Sequence, residues 1–148
     1  MLTFEVNNQT KFKIERAGLK KIIVAFAHRQ ALNQSRYFSL AFVSGAEMKR
    51  LNQTWRGQNK ITDVLSFAES DVQEDFLTDD DFWGEIIICY PQLIRQAKEF
   101  GVSLKEELAR VLIHGLAHLA GYEHEGVSWR EEEKMREFEK GVIAKIKS

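Results

Sequence analysis

Three observations predict an α+β fold: a small, partly parallel β-sheet covered by helices, with one apolar, histidine-bearing helix packed centrally. Short β-rich runs alternate with amphipathic helical segments along the chain. The stretch Leu108–Ala120 is too apolar for a surface helix, yet it carries two histidines. No repeat, low-complexity tract or linker interrupts the 148 residues. Residues 1–148 therefore read as a single domain, large enough for a proper core.

Taken in order, Leu2–Asn7 alternates apolar and polar residues and predicts a strand. Ile14–Asn33 places Ile14, Leu19, Ile22, Ile23, Phe26 and Leu32 at helical spacing, although Gly18 lowers helix propensity. Tyr37–Val43 predicts a second strand. Ser44 can cap the helix Ala46–Trp55, with Glu47 completing a capping box. Val64–Ala68 is a short strand, and Glu69–Asp81 is an acidic loop or hairpin tip. The apolar run Trp83–Tyr90 predicts a central strand. Pro91 suits the first turn of the helix Gln92–Phe100, which Gly101 breaks. Ser103 and Glu106 form another capping box, opening the histidine helix Leu104–Ala120. Ser128–Lys147 predicts a charged last helix with Trp129, Met135, Phe138, Val142 and Ile146 on its inner side.

Composition excludes several classes. Hydrophobic content of 44% and charged content of 29% are ordinary for a soluble globular protein. No apolar run approaches the length of a membrane span, and the N-terminus lacks the pattern of a signal peptide. The single Cys89 cannot form an internal disulfide and sits in an apolar run, so it reads as core. These features predict a reducing, cytoplasmic setting with no membrane partner. Net charge is −1, which argues against indiscriminate nucleic-acid binding. The charge is unevenly spread: residues 1–68 carry a balance of +7, and residues 69–85 carry −8. The basic half can present a phosphate-binding surface, but a scattered solvated set of cations is the simpler reading of composition alone.

The most specific feature is His114-Gly115-Leu116-Ala117-His118-Leu119-Ala120-Gly121-Tyr122-Glu123-His124, with spacing H-x-x-x-H-x-x-G-x-x-H. Histidines four apart share one helix face. Gly121 can end the helix and let His124 return to the same point. Two imidazoles on so apolar a helix need partners, and a metal supplies them. The spacing therefore predicts a three-histidine metal site of His114, His118 and His124, with room for water as fourth ligand. Zinc suits three imidazoles best; nickel, copper and iron are compatible by ligand type. The spacing matches that of zinc peptidases, but the glutamate that serves them as general base is replaced by Gly115. Peptide hydrolysis is thus disfavoured. Glu123 and Glu125 can orient a ligand, reach the metal, or lie in solvent.

A second segment, Leu51–Phe67, turns from polar to apolar and predicts a loop entering a strand. Arg56 and Lys60 can bind phosphates there, and Asp63 can orient a metal-bound histidine or a water. By spacing alone a surface ion pair for Arg56 and a turn cap for Asp63 are the plainer assignments.

Together the segments resemble the YbeY family of bacterial single-strand-specific endoribonucleases, also called rRNA maturation factors. The family motif H-G-x-x-H-L-x-G-Y-D-H is matched by His114–His124, with Glu123 in place of the aspartate. The motif L-N-x-x-Y-R-x-x-D-x-P-T-D-V-L-S-F is similar to Leu51–Phe67, with Trp55, Asn59 and Ile61 as departures. A G-[DE]-I-x-I strand is matched by Gly84–Ile88. The resemblance covers most of the chain. It implies a mixed sheet with several helices, one zinc ion per chain on His114, His118 and His124, and a catalytic role for Arg56. It also implies cleavage of single-stranded RNA, an rRNA precursor, in small-subunit rRNA 3′-end maturation and ribosome quality control, with ribosome-associated partners in a bacterial cytoplasm and no DNA substrate. In such a site zinc acts as Lewis acid and water activator, and Arg56 stabilises developing anionic charge. Whether water or the ribose 2′-hydroxyl attacks stays open. Two other classes remain: a metallopeptidase-like hydrolase, and a non-catalytic RNA- or ribosome-binding factor with a structural metal.

Overall fold

The structure, a computed structural model, describes residues 1–32, 34–69, 81–121 and 129–147. Its elements follow the predicted order: β1 (Leu2–Asn8), α1 (Arg16–Arg29), β2 (Arg36–Val43), α2 (Gly45–Arg56), β3 (Val64–Ala68), β4 (Phe82–Cys89), α3 (Tyr90–Phe100), α4 (Leu104–Leu119) and α5 (Trp129–Lys147). The four strands form one sheet in the order β1-β2-β4-β3. β1, β2 and β4 run parallel, and β3 pairs antiparallel with β4 at one edge. The sheet is mixed, as expected.

Side-chain alternation along the strands divides the core in two. Phe38, Leu40 and Phe42 of β2 and Ile86 and Ile88 of β4 face the main core with α1, α4 and Val142 of α5. The alternate residues Ala41, Val43, Ile87 and Cys89 join Leu65 of β3 and Met48 of α2 in a smaller cluster on the other face. Cys89 is buried core, and burial pushes its thiol up. Burying nine residues of α4, among them Leu112, Ile113 and Leu116, explains its apolar composition.

The boundaries differ from the sequence expectation in instructive ways. α1 spans Arg16–Arg29 rather than Ile14–Asn33. Its first residue follows Glu15, which makes no side-chain cap, and beyond its end Ala31 turns to φ 54°. Tyr90 opens α3 rather than closing β4, because Pro91 sits in the helix's first turn. Ser44 Oγ accepts from Glu47 N at 3.2 Å, capping α2, while the Glu47 carboxylate turns to Arg50. Ser103 Oγ likewise accepts from Glu106 N and caps α4. Phe138 and Val142 of α5 pack on the core as predicted. The inner-face assignments of Trp129, Met135 and Ile146, and the acidic stretch 70–80, lie outside the described residues. Among the described residues, no helix is long and apolar enough to cross a membrane.

Candidate metal centre

The site begins with α4. His114 and His118 lie one turn apart on its last two turns, half-buried where their neighbours Ile113, Leu116, Ala117 and Leu119 are fully buried. Gly115, between them, faces the sheet. A Cβ there would lie 3.1, 3.2 and 3.3 Å from three carbons of Ile86 on β4. Any side chain at 115 requires Ile86 to yield, so the position that holds a carboxylate in zinc peptidases is here a packing position. Past α4, Gly121 adopts φ 101°, the left-handed turn expected of it. His124, Glu123 and Glu125 lie outside the described residues, so the structure brings together two of the three predicted ligands.

The edge strand β3 supplies the next contact. Ser66 Oγ lies 2.5 Å from His118 Nδ1. Sequence reasoning gave Ser66 no role; its signal was its place in the apolar strand following the loop, a lone hydroxyl amid Val64, Leu65 and Phe67. The same residue meets Arg56. α2 ends when Gly57 turns to φ 68°, which leaves Arg56 in the last turn beside β3. Arg56 Nη2 donates to the Ser66 carbonyl at 3.0 Å, and its guanidinium sits 5.0 Å from the Phe67 ring centroid. Arg56 and His118, fifty or more residues apart in sequence, thus meet on either side of Ser66.

A polar cluster braces α4 from behind. Glu107 is 1% exposed. It accepts from Arg110 Nε at 2.9 Å and Nη2 at 2.8 Å, and from Gln96 Nε2 of α3 at 2.6 Å. The Arg110 hydrogen bonds hold the Glu107 carboxyl below the usual carboxylate range. Asp63 joins this cluster: its Oδ2 accepts from Gln96 at 3.2 Å and lies 3.6 Å from Arg110 Nη2. Among the described residues, the side-chain partners of Asp63 are Gln96, Arg110 and the neighbouring Thr62. From α5, Glu139 Oε1 approaches His114 Nδ1 at 4.0 Å, and burial pushes the Glu139 carboxyl up. His118 Nδ1 thus has an oxygen at hydrogen-bond distance, the contact by which proteins orient histidine ligands, while the carboxylate near His114 stands beyond that distance. The donor chemistry of this pair fits a borderline metal such as zinc.

Fold and site together define a class: small α+β proteins that gather an imidazole pair and a guanidinium at the edge of a mixed sheet. The family model described as Endoribonuclease YbeY matches residues 4–147, and the chain belongs to that family. It is 34% identical over 144 residues to the Endoribonuclease YbeY of Finegoldia magna, covering 97% of this chain and 87% of that one. It is 32% identical over 158 residues to the Syntrophomonas wolfei protein of the same name, covering 99% and 98%. Among solved structures it resembles the solution structure of TM1509 from Thermotoga maritima, with a TM-score of 0.65 at 28% identity, covering 99% and 92% of the two chains.

Proposed function

We propose that this chain is a zinc-dependent endoribonuclease that cuts single-stranded RNA in small-subunit rRNA 3′-end maturation and ribosome quality control, in the bacterial cytoplasm. The observation that carries this reading is the meeting of Arg56 and His118 on Ser66. His114, His118 and His124 hold the metal, one ion per chain. Bound there, zinc supplies a Lewis acid and lowers the pKa of a water molecule to about 7.

The chain's own residues do the rest. Ser66 Oγ lies at hydrogen-bond distance from His118 Nδ1; in the tautomer protonated at Nδ1, Ser66 accepts that proton and the Nε2 lone pair is left for a metal. The Ser66 carbonyl holds one arm of the Arg56 guanidinium. The remaining N–H groups of that planar fork can grip a phosphate oxygen, where charge accumulates as the bond to phosphorus forms. Gly115 offers no proton acceptor, and Ile86 closes the space for one; this supports phosphoryl chemistry over peptide hydrolysis.

The test is cleavage of a single-stranded RNA by wild type, His114→Ala and Arg56→Ala, with metal content assayed on each sample. Arg56→Ala is expected to retain its metal and lose about 10²–10³ in rate, the range for removing one preorganised anion-stabilising group. His114→Ala is expected to lose both metal and cleavage. Equal cleavage by all three would place the activity elsewhere and leave a binding factor as the better account.

A further inference from the structure

We infer that Trp55 is a stacking platform for the nucleobase beside the cut, so that the enzyme recognises a base and not only the phosphate backbone. This rests on the endoribonuclease reading above. Trp55 ends α2 next to Arg56 and is 65% exposed, an unusual state for the largest aromatic side chain. Its contact with Phe67 is edge-to-face, with ring centroids 6.1 Å apart at 66°. The Arg56 guanidinium donates one hydrogen bond to the Ser66 carbonyl and lies 5.0 Å from the Phe67 ring centroid, so the same ring meets both side chains.

The surroundings favour a nucleic acid over a protein partner. Lys60 is exposed on the loop that follows, and Asn52, 3% exposed, pins that loop to α2 by donating to the Lys60 carbonyl at 3.0 Å. Trp55 is therefore an exposed π-surface at the end of α2, in a segment carrying Arg56 and the exposed Lys60, and aromatic faces with nearby cations are what proteins use to hold single strands. Its link to the site runs over the edge of β3, since Phe67 and Ser66 turn their side chains to opposite faces of that strand. Trp55 touches Phe67, Phe67 adjoins Ser66, and Ser66 touches both Arg56 and His118. On this proposal, a strand whose phosphate lies at Arg56 sets a neighbouring base on Trp55, since both side chains lie against Phe67. Base-aromatic stacking tolerates every base, so the contact selects unpaired nucleotides and not a sequence.

The experiment is steady-state cleavage by the zinc-loaded enzyme as wild type, Trp55→Ala, Trp55→Leu and Trp55→Tyr. The substrates are a single-stranded RNA oligonucleotide and a series carrying one abasic nucleotide at each position in turn. Trp55→Ala and Trp55→Leu should raise KM roughly five- to hundredfold with little change in kcat. Trp55→Tyr should restore most of the loss. At one position, the abasic substitution should weaken the wild type by a similar factor and have no further effect in Trp55→Ala. Recovery by Trp55→Leu would mean a generic apolar contact and overturn stacking. Unchanged KM in Trp55→Ala, or additive penalties at every abasic position, would overturn it too, including in favour of a protein partner for this patch. If the wild type cuts no RNA, the endoribonuclease reading itself fails, an outcome distinct from cleavage that is indifferent to Trp55.

Discussion

Glu107→Ala removes the centre of the cluster that braces the histidine helix. Glu107 is almost fully buried and accepts three hydrogen bonds, two from Arg110 and one from Gln96. Removing one partner of a buried ion pair costs about 3–5 kcal/mol, because the other charge is left uncompensated. Here the Arg110 side chain is 39% exposed and already has Asp63 at 3.6 Å, so it can turn to water and to that carboxylate. The loss should fall at the lower end, about 3 kcal/mol. For a domain of this size that lowers Tm by roughly 6–12 °C. Urea denaturation would show a lower midpoint at unchanged slope. The pH dependence gives a second check. The folded carboxyl of Glu107 is held below its ordinary value of 4.5 by Arg110. Its contribution is fully present above that value and is lost as pH falls through the lower folded one. The gap between wild type and Glu107→Ala should therefore be widest at neutral pH and narrow below about pH 4.5. A loss under about 1 kcal/mol at pH 7, or a gap that widens on acidification, would refute the reasoning.

Other perturbations follow from the same geometry. Ser66→Ala removes the oxygen at His118 Nδ1 and should weaken zinc binding about 10–100-fold, read by competition with a chelator of known affinity. Gly115→Ala drives a methyl into Ile86 and should destabilise the fold by about 1–3 kcal/mol in urea denaturation, with part recovered by Ile86→Val, which removes the carbon at 3.1 Å. Gly84→Ala should be worse. Gly84 holds φ 140° and its added Cβ would lie 2.1 Å from the Phe67 carbonyl oxygen. Strain alone costs about 1–3 kcal/mol, and the displaced end of β3 carries Ser66, so zinc affinity should fall with stability.

Much of this was legible in the sequence because it depends on period and local stereochemistry. The apolar run of β4 marks a central strand, and the sheet buries it on both faces. Ser44 and Ser103 announce their helices because a cap acts within one turn. Gly101 and Gly121 mark helix ends because each adopts positive φ. What escaped depends on contacts across the sequence. Glu107 reads as a first-turn acid of α4, and its burial follows only once Gln96 of α3 is laid against it. Asp63 reads most plainly as a turn cap by its place in the loop, but its carboxylate meets Gln96 and Arg110 across the sequence. Ser66 gained meaning only when β3 proved to be the edge strand beside α4. Arg56 was found through the family motif, since an arginine at a helix end has no local signature that separates it from a surface ion pair.

On the proposed function, RNA cleavage depends on a metal held by the histidines. The most direct measurement is a titration of metal-stripped protein with zinc, following bound metal and single-stranded RNA cleavage in the same samples. Both signals should rise together and break at one equivalent per chain in the wild type, and His118→Ala and His124→Ala should show neither. Cleavage by fully stripped protein, or zinc bound at unchanged affinity in the two histidine variants, would contradict the account.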